Sequence, residues 1–311
     1  MANVIRVATL GPNCSSETPA PDQRAVDKMK EFWRFQLEQV LVDKPDLIVI
    51  PETSDRFIKM SLENQMVYYQ VRGTQMRDFF CEIAAKHKCN IAYSAIRLLD
   101  NGHKANSTQI INRSGKVIGI YDKNCTVIQE TEIKGVQFGT QTPIIECDFG
   151  KIACAICFDL NFVEVLEKYG TEPDVIIFCS MYHGGLMQNY WAYQAQAHFI
   201  GAVYENQCTI IDPIGELLGK STDYYNFISM DINLDCKVVH LDGNVQKIQN
   251  AKKKYGKSLT LKDPGHLGAV LLTCESKDFS IQDIINEFEI ELLSEYFKRS
   301  RFMYSHSHKH L

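Results

Sequence analysis

The order of elements in this chain is written twice, and that duplication limits the folds open to it. Lys44-Pro45-Asp46 leads into Leu47-Ile48-Val49-Ile50, and Glu172-Pro173-Asp174 leads into Val175-Ile176-Ile177-Phe178. Each is a continuous, mostly β-branched run that reads as a strand buried on both faces. Downstream, Ile110–Gly119 is matched by Ile210–Gly219, each a hairpin pattern with a glycine at its turn. The sequence strand, helix, strand, hairpin therefore occurs in both halves.

Amphipathic helices fill the spaces between. Over 22–42 the apolar positions Val26, Met29, Trp33, Leu37, Val40 and Leu41 form one stripe, with Pro21 as a start signal. Over 74–86 the stripe is Met76, Phe79, Phe80 and Ile83. A helix of this kind covers one face of a sheet, so two related halves predict an α/β fold, a four-layer α-β-β-α sandwich with one mixed sheet from each half. No linker or low-complexity tract interrupts it. We expect one catalytic domain over 1–277, followed over 278–311 by a single helix and tail that pack on the body or a partner subunit; Ile281, Ile284, Ile285, Phe288, Leu292 and Tyr296 lie on one side of that helix.

Charge and cysteine usage exclude several partner classes. The net charge is −5 over 311 residues and the longest basic run is Lys252–Lys254, too little for a nucleic-acid footprint. No signal sequence or long apolar segment is visible, which predicts a cytoplasmic protein without a membrane partner. Eleven cysteines, several inside apolar runs, read as reduced thiols. Cys154 and Cys157 form a CxxC, but no second pair follows at ligand spacing, so neither a metal nor another cofactor is expected. The terminal histidines His306, His308 and His310 are read as a tail able to take only adventitious metal.

Three reactive residues stand at the ends of strand-like runs: Glu52 after Leu47–Ile50, Lys123 after the first hairpin, and Cys157 after Ile152–Ile156. Individually each has an ordinary explanation, as a loop carboxylate, a solvated lysine or a structural thiol. Cys157 precedes Phe158-Asp159-Leu160-Asn161, read as the opening of a helix whose N-terminus would favour a thiolate and whose N–H groups would hold an oxyanion. Alternation places Cys154 on the opposite face, as the buried structural thiol. Together a thiol, a carboxylate and an ammonium equip a chain to open a carbon–nitrogen bond.

In order, Pro51-Glu52, Tyr121-Asp122-Lys123-Asn124 and Ile156-Cys157-Phe158-Asp159 resemble the motifs of the nitrilase superfamily of carbon–nitrogen hydrolases, over roughly Ile5 to Thr273. The resemblance implies an α-β-β-α sandwich with Cys157 as nucleophile, Glu52 as general base and Lys123 as oxyanion partner. It also implies a second glutamate, mapped onto Glu130 with Glu132 as the alternative. Phe158, Tyr182 and His183 map to the substrate pocket; for His183 an ordinary loop histidine is the competing reading. Phe158-Asp159 stands where the nitrile-cleaving branch usually has Trp-Glu, so a small amide or N-carbamoyl substrate is favoured over a nitrile. Leu160-Asn161 stands where an arginine is often found and Val163 where a proline is, so no arginine clamp for a substrate carboxylate is visible there. Amine-accepting acyl transfer with the same residues and a catalytically idle binding module are the alternatives. By resemblance, the chain is expected to form a homodimer or a higher homo-oligomer.

Overall fold

The β-branched runs are strands buried on both faces, and the repeated aspartates fix their register. The computed structural model describes residues 1–12 and 18–307. Contacts divide the chain into two compact units, Ile5–Asp231 and Met1–Val4 with Ile232–Leu311.

The larger unit contains the duplication. Its strands are β1 (Val4–Leu10), β2 (Leu47–Val49), β3 (Asn90–Leu98), β4 (Lys104–Ile111), β5 (Val117–Asp122), β6 (Ile145–Cys147), β7 (Gly150–Ile156), β8 (Val175–Ser180), β9 (His198–Val203), β10 (Thr209–Ile211), β11 (Leu217–Lys220) and β12 (Phe227–Asn233). They form two six-stranded sheets in the orders β12-β1-β2-β3-β4-β5 and β11-β10-β9-β8-β7-β6. Each sheet has parallel pairs at its centre and antiparallel strands beside them, β3-β4-β5 in the first and both β9-β10-β11 and β6-β7 in the second.

The X-Pro-Asp lead has the same task in both sheets. Asp46 Oδ2 accepts the Arg6 N–H at 2.7 Å and Asp174 Oδ2 accepts the Lys151 N–H at 2.9 Å, each tying the start of the neighbouring strand. The backbones of both aspartates extend the ladder, Asp46 N–H to Arg6 O and Asp174 N–H to Lys151 O. Across the sheets, Thr9 Oγ1 donates to Gly201 O at 2.9 Å.

Helix α1 (Gln23–Leu41) starts on Asp22, whose side chain accepts the Arg24 N–H. Its Val26, Met29, Trp33, Leu37 and Val40 are buried with Met76, Phe79 and Phe80 of α3 (Gln75–His87), with Trp33 edge-on to Phe80. Between them lies α2 (Leu62–Arg72), which the pattern does not announce because it buries Gln65, Tyr68, Tyr69 and Arg72 rather than an aliphatic stripe. The short α4 (Ile128–Glu132) follows β5; α5 (Val163–Tyr169) and α6 (Leu186–Ala195) belong to the second half. The expected α-β-β-α layering of this unit is observed.

Two expectations are corrected. The compact division falls at Asp231/Ile232 rather than near 277, because β13 (Cys236–His240), β14 (Leu259–Lys262) and β15 (Ala269–Cys274) form a separate antiparallel sheet. With α7 (Val245–Tyr255) they enclose their own core, including Val239, Ile248, Leu259 and Leu272. The expected single C-terminal helix is two, α8 (Ile281–Glu287) and α9 (Leu293–Ser307). Glu289 adopts φ 50° between them, and Asn244 pins the break by accepting the Glu291 N–H and donating to Glu291 O. Ile281, Ile284 and Ile285 of α8 are core residues of this unit. His308 and His310 lie outside the described residues. Among the described residues, no helix is long and apolar enough to cross a membrane.

Candidate active site

Lys123 is among the most deeply buried side chains of the chain, only 1% exposed, and a buried ammonium needs partners. It follows directly on β5, held by its N–H on Asn106 O and by its carbonyl accepting the Gly139 N–H at 2.7 Å. Its Nζ meets Glu52 Oε1 at 3.0 Å and Glu130 Oε2 at 2.6 Å. Burial works against its charge, but Glu52, Cys157 and Glu130 outweigh burial and hold the ammonium above the ordinary lysine range.

Glu52 lies in the loop after β2 and is 3% exposed. That loop is fixed by Ser54, whose N–H and hydroxyl both donate to Ser94 O, and by Trp33 Nε1, which donates to Ser54 O. Beyond Lys123, Glu52 accepts Asn106 Nδ2 at 2.7 Å and the Met181 N–H at 3.0 Å. Glu130, on α4, takes Lys123, Asn106 Nδ2 at 3.1 Å and the Val127 N–H. Burial raises the Glu130 carboxyl, but Lys123 and these donors prevail and keep it below the ordinary range. Of the two glutamates left open by the sequence, Glu130 is the one beside Lys123; Glu132 is exposed on the same short helix.

Cys157 sits one residue beyond β7 with φ 50°, a left-handed elbow that a side chain adopts only under constraint. Glu52 and the Lys123 ammonium are the charges that act on its thiol. The expectation that a helix N-terminus draws the thiol toward thiolate is corrected. Cys157–Asn161 is a short 3-10 turn and the next helix begins only at Val163, while burial and the Glu52 carboxylate push the thiol up to about 12 against the opposing pull of Lys123. At rest Cys157 is thus a thiol. Cys154, inside β7, is fully buried and distinct from it.

Two residues that the sequence did not single out hold these loops together. Asn106 spans both glutamates with one amide nitrogen. Its signal was available, since Asn106-Ser107-Thr108-Gln109 is a polar run inside a buried strand. Asp159 accepts the Ile156 N–H at 2.9 Å, the Cys125 N–H at 2.6 Å and the Tyr121 hydroxyl at 2.8 Å, joining the cysteine elbow to the lysine loop. Burial raises Asp159 to about 6 despite these donors.

The expected pocket residues differ in placement. Tyr182 is half-buried, its hydroxyl accepting Asn161 Nδ2 at 3.0 Å, and burial raises its phenol above the ordinary range. Phe158 follows the nucleophile candidate and packs edge-on to Phe162. His183 uses Nδ1 to accept the Gly185 N–H and its carbonyl to accept Gln188 Nε2, the bonds of an ordinary loop histidine. Among the described residues, no group of three or more His, Cys, Asp or Glu is arranged to hold a metal ion. The set at the strand ends can therefore exchange a proton between thiol and carboxylate beside a buried cation.

The carbon-nitrogen hydrolase family model matches residues 23–235. A Staphylococcus aureus protein described as a hydrolase in the agr operon is 23% identical over 208 residues, which are 61% of this chain and 79% of that one. A 2-oxoglutaramate amidase of Bacillus subtilis is 22% identical over 209 residues, 61% of this chain and 78% of its own length. The crystal structure of Saccharomyces cerevisiae Nit3, a member of branch 10 of the nitrilase superfamily, superposes with a TM-score of 0.62 at 17% identity, covering 74% of this chain and 90% of that one.

Proposed function

Because the chain belongs to the carbon–nitrogen hydrolase family, we propose that it hydrolyses a small amide or N-carbamoyl compound through a thioester on Cys157. The observation that carries this is the buried contact of Lys123 with both Glu52 and Glu130, with the Cys157 thiol in the field of Glu52 and Lys123. The amidase activity named for the Bacillus subtilis relative favours an amide over a nitrile.

Glu52 takes the thiol proton as sulfur attacks the carbonyl carbon, converting carboxylate to acid and giving a tetrahedral oxyanion. Lys123 has three N–H donors and uses two on the glutamates, so the third is free for that oxyanion. Glu52 then protonates the departing nitrogen; the carbon–nitrogen bond breaks and ammonia or an amine leaves the thioester. A water entering the vacated space gives its proton to Glu52 and its oxygen to the acyl carbon, and sulfur leaves as the thiol. Glu130 keeps Lys123 charged and in place throughout.

A panel of amides, carbamoyl amino acids and nitriles assayed for released ammonia tests the reaction, with intact mass and peptide mapping of a trapped acyl-enzyme. We expect the adduct on Cys157, no turnover in Cys157→Ala, and a loss of about two to three orders of magnitude in kcat for Lys123→Met. An adduct on a different cysteine would overturn the assignment.

A further inference from the structure

Glu130 is also a wall of a cavity of about 260 Å³. Arg56, Lys104 and Lys134 bring three cationic groups to this space. Their convergence is built into the fold: Lys104 opens β4, a parallel bridge to Val136 lays the segment after α4 beside it, and the Gln137 N–H donates to Lys104 O. Among the described residues, none of the three forms an ion pair with a carboxylate. Lys104 Nζ faces Met66 Sδ at 3.3 Å, a weak acceptor for an ammonium, and the Nε of Arg56 is buried without a partner.

Such an arrangement is unfavourable by itself. Burial and then the neighbouring cations hold both Lys104 and Lys134 below the ordinary lysine range. Two carboxylates border the space without neutralising it: Glu63 is exposed at the rim, and Glu130 is already bound by Lys123, Asn106 and Val127. Gln65 and Tyr69 also line it, and the remaining walls are apolar, among them Met66, Ile96 and Ile133. Unpaired cations at the edge of a largely apolar space that shares Glu130 with the candidate active site are what an anionic group on a short aliphatic chain requires.

We propose that this cavity receives the carboxylate end of the substrate, with Arg56, Lys104 and Lys134 as its counter-charges and the aliphatic chain lying along the apolar wall toward Cys157. It rests on the hydrolase reading above and narrows the substrate class to small amides bearing a carboxylate away from the scissile bond. The position differs from the segment after Cys157, where Leu160 and Asn161 offer no cation.

The test is calorimetric titration of the full-length Cys157→Ala chain with glutarate and, separately, with inorganic phosphate. The titrations are repeated in the same background carrying Lys104→Met and Lys134→Met. Glutarate should bind at one site, more tightly than phosphate, and each lysine removed should weaken it by about ten-fold or more. In the wild-type chain glutarate should slow alkylation of Cys157 by iodoacetamide. Binding indifferent to the lysines would overturn the site, phosphate binding as tight as glutarate would overturn the chain-borne carboxylate, and binding without protection would overturn its placement beside the thiol. Replacing repelling cations should not lower the melting temperature; if the double variant is unfolded, Arg56→Gln is read in the same titration. None of these readouts needs turnover, so failure of every amide to release ammonia would remove the hydrolase reading separately.

Discussion

Asp159 shows how a single side chain sets the relation between two loops. Its oxygens take a strand-end N–H, a loop N–H and a phenol, so the cysteine elbow and the lysine loop share one anchor. The sequence displayed Asp159 only as the residue two after the cysteine; its partners come from distant positions and had no local signal. Asn106 was more legible, since a polar run inside a buried strand demands an explanation, whereas Lys123 taken singly looked like a solvated lysine and was set apart only by its place among the ordered motifs. Asp159 also yields a prediction with a definite sign. Its carboxyl is near 3.8 when unfolded and about 6 in the fold, so the native state holds the proton more tightly. The stability this contributes is fully present below about pH 4 and is lost as pH rises through about 6, a change on the order of 3 kcal/mol. Denaturant titrations of wild type and Asp159→Asn at pH 4.5 and pH 7 should show the variant gaining on wild type at the higher pH. A difference that stays constant between the two would mean that Asp159 titrates at its ordinary value.

Elements differ in how openly the sequence announces them. Helix α1 was readable because its apolar stripe has one period, and its ends fell one residue inside the expected range. Helix α2 was not, because it is held partly by polar groups: Arg72 reaches Asp55 at 2.8 Å and Ile96 O at 2.6 Å, and Tyr93 closes on the same carboxylate. The elbow at Cys157 was placed correctly in sequence but its left-handed backbone and the missing helix turn were not visible, since those depend on how β7 ends against its neighbours. Gly139 is the corresponding hidden constraint on the lysine loop. A Cβ there would stand 2.0 Å from Asp122 O, and the Gly139 N–H is what holds the Lys123 carbonyl. Gly139→Ala should therefore push the loop outward. We expect kcat/KM to fall by at least about ten-fold with stability lowered by about 1–3 kcal/mol, measured by steady-state assay and denaturant unfolding. A variant of full activity would show that the loop tolerates the displacement.

At the scale of the whole chain the duplication was the most legible feature, because both copies of X-Pro-Asp perform the same ladder bonds and so left the same letters in the sequence. The division near Asp231 left none: no linker marks it, and β13, β14 and β15 read individually as more of the same strands. Only long-range pairing separates them into a sheet with its own core. The C-terminal helix pattern was misleading for a related reason, since the apolar spacing of α8 and α9 continues through a break that Asn244 makes from 47 residues away. That partition can be tested through Ile284, which is fully buried in the core of the smaller unit. Truncating it to alanine removes buried methylene and methyl groups and should lower stability by about 2–5 kcal/mol. Glu52, Asn106, Lys123, Glu130, Cys157, Asp159 and Met181 all belong to the larger unit, so the chemistry should not share that loss. For Ile284→Ala we expect a lower unfolding midpoint with kcat per folded molecule within about two-fold of wild type, measured well below the transition. A ten-fold fall in kcat while the variant is fully folded would show that the smaller unit contributes to the reaction itself.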